Sequence, residues 1–238
     1  MPFWGSDSMR LSKWYKDFRN KYIVQKRRQH EYAINRYYAH LIDPFFTKVV
    51  YDLRLTPNIV TIFNGLIGIA AGVSLLTHQL ILGGILLQLH HFLDGADGNL
   101  ARLTNRCTSF GAKLDQISDQ IVRLILFLSI SYSTDVALWA KIALPLTMLV
   151  DLYVVHRFVL PFARNYELKR AKWKQWFLDR GIIPGFDIFT VYFIISVTSI
   201  CGVLNFAVYF IIILKNLDWI YRVYECMKTF YSSRGRAS

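Results

Sequence analysis

Apolar residues fall in six long runs, at roughly 58–77, 79–98, 110–131, 136–158, 187–203 and 205–223. A helix needs about 20 apolar residues to cross a hydrocarbon core of about 30 Å, and these runs approach or exceed that length. The pattern predicts an all-α integral membrane protein with six transmembrane helices. The polar loops left over are too short for a second folded domain. The chain therefore divides into an N-terminal segment (1–56), a six-helix membrane domain (57–225) and a tail (226–238).

Ahead of the first run, Ile34, Tyr37, Tyr38, Leu41, Ile42, Phe45, Phe46, Val49, Val50 and Leu53 recur at helical spacing on one stripe. Polar and basic residues fill the other face. This predicts an amphipathic helix lying on the membrane surface, kinked or split at Pro44. A helix packed on the protein's own bundle would carry the same stripe.

Composition agrees with the runs, since 54% of the residues are hydrophobic. Charge adds orientation. The net charge is +12, and most of the 28 Lys and Arg fall on one side of the six spans, while Lys141 lies on the other and a few, Arg123 among them, lie inside spans. The loops around "THQ", "SYSTD" and "CGVLN" have no Lys or Arg. By the positive-inside rule both termini are cytoplasmic. A basic chain could bind nucleic acid, but basic loops alternating with apolar spans suit lipid headgroups instead, and no nucleic-acid partner is expected. Residues 1–30 have no apolar stretch of signal-peptide length, and Cys107, Cys201 and Cys226 have no metal or disulfide spacing.

The candidate chemistry lies in "DGADGNLARLTNRCTSFGAKLDQISD", residues 94–119, where the second and third runs meet. On a helix Asp94, Asp97, Gly98, Ala101 and Arg102 share one face. Gly111, Asp115 and Asp119 recur every four residues and form one stripe. A turn through "TNRCTS" brings the two faces together. Four converging carboxylates cannot all stay ionised without cations. Hard oxygen ligands in this number suit Mg²⁺, Mn²⁺ or Ca²⁺, and two such ions can clamp a phosphoryl group and its leaving oxygen.

The stretch reads D-x-x-D-G-x-x-A-R-x(8)-G-x-x-x-D-x-x-x-D, and in this it resembles the signature of the CDP-alcohol phosphotransferases. With each fixed residue met about once in twenty positions, a chance match in the chain has a probability of about 10⁻⁸. "TPNIVT", residues 56–61, also resembles the family's entry into its first span. The resemblance implies transfer of a substituted phosphoryl group from a CDP-linked donor to an alcohol, with release of CMP. It implies that Asp94, Asp97, Asp115 and Asp119 hold Mg²⁺ or Mn²⁺, as two ions, and that Asp119 is also the general base. Gly98, Ala101, Arg102 and Gly111 would line the nucleotide pocket. It further implies a homodimer.

Other readings of the same residues stay open. Arg102 could pair with Asp94 or Asp97, and Asp119 with Arg123 one turn on. Asn58 reads as a helix cap after Pro57. His90 and His91 read as interfacial filler, not ligands. For a phosphorylated acceptor the candidate cations are Arg123, Arg157 and Arg164, although Asp151 could neutralise Arg123. The expected function is phospholipid synthesis from a CDP-lipid donor, CDP-diacylglycerol above all, and a small polar acceptor such as glycerol 3-phosphate or inositol phosphate. The reverse arrangement, with a CDP-linked polar alcohol and a lipid or sugar-phosphate acceptor, is the alternative within the family. A transporter would spread its acids along a pathway, whereas here they cluster at one face. An inactive scaffold would have no need of the full signature.

Overall fold

Every apolar run folds as a helix. The computed structural model describes residues 4–24 and 30–234. The elements are α1 (Trp4–Tyr22), β1 (Glu31–Tyr32), α2 (His40–Asp52), α3 (Pro57–Leu76), α4 (Leu80–Leu103), α5 (Ser109–Ser133), α6 (Leu138–Val154), α7 (Leu160–Asn165), α8 (Lys172–Asp179), β2 (Ile182–Ile183), α9 (Ile188–Ile200) and α10 (Leu204–Arg234). Among the described residues the fold is all-α apart from one short parallel pairing, Glu31 with Ile182 and Tyr32 with Ile183. Among the described residues, three helices are long and apolar enough to cross a membrane: Pro57–Leu76, Leu138–Asn165 and Leu204–Ser232. The 24 residues of α4 and 25 of α5 give sufficient length, but these two helices carry the acids. At 13 residues α9 is shorter.

α3 packs along both α4 and α5, and α9 packs on α4. Small residues make these approaches close. A side-chain carbon on Gly68 would lie 2.6 Å from a Val122 methyl of α5. At Gly84 of α4 it would lie 2.8 Å from the Ser196 carbonyl oxygen of α9. Only glycine leaves room for backbones this near one another. The buried core gathers Ala71, Leu75, Leu87, Leu126, Ile130, Leu144, Ile195 and Ile211 from six helices. A smaller cluster of Val50, Val60, Ala96 and Leu100 joins α2 to α3 and α4. Ile59, Ile62, Phe63, Leu66 and Val73 leave one side of α3 exposed and apolar.

Prolines shape two elements. A five-residue π-helical turn, Asn35–Ala39, leads into α2 ahead of Pro44, and a second, Val155–Val159, joins α6 to α7 ahead of Pro161. Proline has no N–H for the carbonyl four residues back. For Pro44 that carbonyl belongs to His40, and the Tyr15 hydroxyl of α1 donates to it at 3.1 Å.

The stripe expected on residues 34–53 is divided among neighbours. Tyr38 and Phe46 pack on Phe92 of α4, with ring centroids 5.4 and 5.1 Å apart, and Phe45 packs on Phe18 of α1 at 4.9 Å. Leu41, Val49 and Leu53 remain exposed. The face of α2 turned into the bundle also carries Asp43 and Thr47, both buried. Asp43 fits there because Gly95 faces it without a side chain.

Replacing Gly84 with Ala is expected to push α9 off α4. The cost should be about 1–3 kcal/mol, read as a lower thermal midpoint of the detergent-solubilised protein. An unchanged midpoint would mean that the approach of these two helices is not tight.

Candidate active site

The turn between α4 and α5 is built from local signals. Asn105, with φ of 54°, takes the left-handed conformation that asparagine tolerates. The N–H of Arg106 bonds to the Ala101 carbonyl at 2.8 Å, which closes the end of α4. Thr108 then caps α5, its hydroxyl accepting from the Gly111 N–H at 3.0 Å. The chain reverses within a few residues, and the acidic faces of α4 and α5 meet.

Asp94, Asp115 and Asp119 each place a carboxylate oxygen within 4.8 Å of the others, and all three are partly exposed. Asp97 is buried beside this trio, and one of its oxygens accepts a 2.6 Å hydrogen bond from the Thr61 hydroxyl. Asn64 reaches Asp94 at 3.5 Å. The Arg123 guanidinium pairs with Asp119 at 2.9 Å. The donor set fits a divalent cation: several carboxylate oxygens converge, solvent can reach them, and amide and hydroxyl donors hold the outer oxygens.

Two cavities flank the cluster. The first, of about 200 Å³, lies between the N-terminus of α3, the end of α4 and the start of α5. Gly98, Ala101, Arg102 and Gly111 all line it, with Asp97 and Asp115 in its wall. A side-chain carbon on Gly111 would come within 2.9 Å of the Asn58 side-chain oxygen, so glycine keeps this wall thin. The first turn of α5 contributes the positive end of a helix dipole, which favours phosphate. Arg102 bonds to Asn99 at 2.8 Å and not to Asp94 or Asp97.

The second cavity, of about 330 Å³, lies on the other side of Asp119. Arg123, Lys215 and Arg222 line it, together with Tyr32, Asp151 and Asp187. Lys215 pairs with Asp151 at 2.7 Å, and Arg222 with Asp218 at 2.7 Å. Asp151 therefore neutralises Lys215, while Arg123 has Asp119. Of the three arginines singled out from the sequence, only Arg123 lines this cavity. Arg157 and Arg164 are both exposed, and Arg164 borders a separate surface hollow with Arg170. The π turn at Val155–Val159 inserts a residue and takes the side chains after it out of α-helical register.

Several site residues escaped the sequence reading. Asn58 is not the cap of α3, a position held by Thr56. It lines the first cavity. Thr61 and Asn64 complete a polar row of spacing three along an otherwise apolar helix, a signal that could have found them. Lys215 and Arg222 are polar interruptions in the last apolar run. His90 is fully buried and bonds to the Asn64 carbonyl at 3.1 Å, and His91 stacks on Phe189 at 4.8 Å. Both are interior residues, not interfacial filler.

Apolar helices that carry a cluster of carboxylates able to hold a divalent cation mark a membrane protein with a candidate metal centre. A sequence model of the CDP-alcohol phosphatidyltransferases matches residues 54–223, and the chain belongs to that family. An archaetidylinositol phosphate synthase of Pyrococcus horikoshii is 30% identical over 76% of this chain and 88% of its own length. A phosphatidylinositol phosphate synthase of Corynebacterium glutamicum is 35% identical over 60% of this chain and 63% of its own. The match to a bifunctional IPC transferase and DIPP synthase of Aquifex aeolicus, at 37% identity, covers 37% of this chain and only 19% of that much longer protein. Among solved structures, the phosphatidylinositol phosphate synthase of Mycobacterium tuberculosis with CDP-DAG bound shares the fold. Its TM-score is 0.57 at 17% identity, over 77% of this chain and 92% of that one.

Replacing Asp94 or Asp115 with Asn should weaken Mn²⁺ binding by more than about tenfold, since each change removes a charged ligand oxygen. Electron paramagnetic resonance of free Mn²⁺ reads the affinity, and circular dichroism should report unchanged helix. Two variants that bind Mn²⁺ like the parent would place the metal elsewhere.

Proposed function

We propose that the protein transfers the phospholipid part of a CDP-lipid, CDP-diacylglycerol or a close relative, to a hydroxyl of inositol phosphate and releases CMP. The observation that carries this reading is the carboxylate cluster standing between two cavities of different chemistry. One has glycines, a helix N-terminus and Arg102, and suits the cytidine and diphosphate. The other has three cations and suits a small phosphorylated acceptor. The relatives named as inositol phosphate synthases support the acceptor class.

In this reading Asp94, Asp97, Asp115 and Asp119 would hold the divalent ions, which would neutralise the diphosphate and the departing CMP. Asp119 takes the proton of the acceptor hydroxyl. The freed oxygen attacks the lipid-bearing phosphorus, and the bond from that phosphorus to the CMP oxygen breaks. Arg123 holds Asp119 in position from the side of the second cavity. The acceptor's phosphate is assigned to Arg123, Lys215 and Arg222, since Arg157 and Arg164 lie outside the cavity. Six helices, α3 to α6, α9 and α10, would span the membrane with termini and site on the cytoplasmic side. The exposed Leu41, Val49 and Leu53 of α2 would rest on the lipid surface.

Purified protein with CDP-diacylglycerol and Mn²⁺ or Mg²⁺ is expected to release CMP fastest with inositol phosphate. Glycerol 3-phosphate should be slower and unphosphorylated inositol inert, as followed by mass spectrometry. A best acceptor without phosphate, or a better reaction with a CDP-linked polar alcohol as donor, would overturn the assignment. In the same assay Asp119→Asn should lower kcat by about 100-fold or more and leave calorimetric donor affinity nearly intact. Complete loss of donor binding would make Asp119 a ligand and not the base.

A further inference from the structure

The second cavity is closed by a part of the chain outside the family match. Residues 30–52 precede the matched region 54–223, yet they reach across to α9 and α10. Tyr32 pairs with Ile183 in the short parallel bridge, and Arg36 donates to the Gly181 carbonyl at 2.6 Å. Asn35 donates to Asp187 at 3.2 Å. These contacts hold Tyr32 in the cavity wall.

The Tyr32 ring lies against Gly185, where an added side-chain carbon would come within 3.0 Å of the ring and 3.1 Å of the Arg222 guanidinium. There the phenol oxygen accepts a 3.0 Å hydrogen bond from Arg222. An accepted bond uses a lone pair and leaves the phenol O–H free to donate. Burial raises the Tyr32 phenol above its ordinary value, against the pull of the Arg222 charge. It therefore keeps its proton at neutral pH. The result is a neutral O–H donor beside Lys215 and Arg222 in the cavity wall.

We infer that Tyr32 is an acceptor-binding residue: its hydroxyl orients Arg222 and donates to a phosphate oxygen of the acceptor. The inference rests on the acceptor reading above and adds a contact from outside the family's own region. A hydroxyl so placed contributes in two ways. It makes one hydrogen bond to an anion directly, and it holds the guanidinium so that Arg222 can make another. Phosphate recognition commonly combines a fixed guanidinium with neutral donors in this manner. The CDP-lipid should not register the change, because its expected contacts lie in the other cavity beyond the carboxylates.

The test is steady-state kinetics of the full chain in detergent micelles, with CDP-diacylglycerol and inositol phosphate varied independently, on the parent, Tyr32→Phe and Tyr32→Leu. Phenylalanine keeps the ring against Gly185 and the backbone bridge, and removes only the hydroxyl. Tyr32→Phe is expected to raise the inositol phosphate KM by about tenfold or more, the scale of one hydrogen bond to a charged group. The donor KM, kcat and thermal midpoint should stay within about twofold or a few degrees of the parent. Tyr32→Leu should add little further loss in acceptor KM. If Tyr32→Phe leaves acceptor KM unchanged while the parent turns over inositol phosphate, the inference fails and the acceptor reading stands. The inference also fails if only Tyr32→Leu is impaired, or if both KM values rise while the midpoint falls, since either would make Tyr32 a packing residue. A parent enzyme that uses no phosphorylated polyol overturns the acceptor reading and this inference with it.

Discussion

Like charges held together are the constraint on which the rest of the structure depends. Each pair among the Asp94, Asp115 and Asp119 carboxylate oxygens stands within 4.8 Å, a separation at which two ionised groups repel by about 3–4 kcal/mol at an effective dielectric constant near 20. The scaffold has to hold them there. α3 does so as a wedge with two faces. Gly68 and the small residues around it let α5 close on the helix, while Thr61 and Asn64 donate to Asp97 and Asp94. The apolar core from Ala71 and Leu75 to Ile211 fixes the helices just beyond the site. Arg123 offsets part of the charge from one side, and divalent ions would offset more.

The same geometry separates two tasks. On one side of the carboxylates the wall is thin and built of glycine, backbone N–H groups and two arginines, Arg102 and Arg106. On the other side three cations from α5 and α10 are tied to acids that set their positions. A cation so anchored is preorganised, and an incoming anion meets donors that need little rearrangement. The segment from Glu31 to Arg36 completes that wall by reaching α9 and α10 through a two-residue bridge and side-chain bonds.

What could be read from the chain alone follows from range. The aspartates were legible because both halves of the motif repeat at helical spacing and only a short turn separates them. The apolar runs were legible because length and hydrophobicity suffice to mark a buried or lipid-facing helix. Arg102 bonded to Asn99, and Asn58 in the cavity wall, were not, because several partners lay within reach along the sequence and only packing selects one. Lys215 and Arg222 join Arg123 from about ninety residues away, a meeting that no local period encodes. Arg157 looked well placed until the π turn ahead of Pro161 shifted the register. α1 and α8 passed unnoticed because α1, though 19 residues long, is polar, and α8 has only 8 residues.

The central claim, that Asp94, Asp115 and Asp119 converge to hold a divalent cation at the junction of the two cavities, is tested most directly by crystals of the protein grown with Mn²⁺ and measured at an anomalous-scattering wavelength. The account predicts an anomalous peak within coordination distance of oxygens from all three carboxylates, about 2.0–2.3 Å. Well-diffracting Mn²⁺ crystals with no peak there, or with the ion bound by other residues, would contradict it.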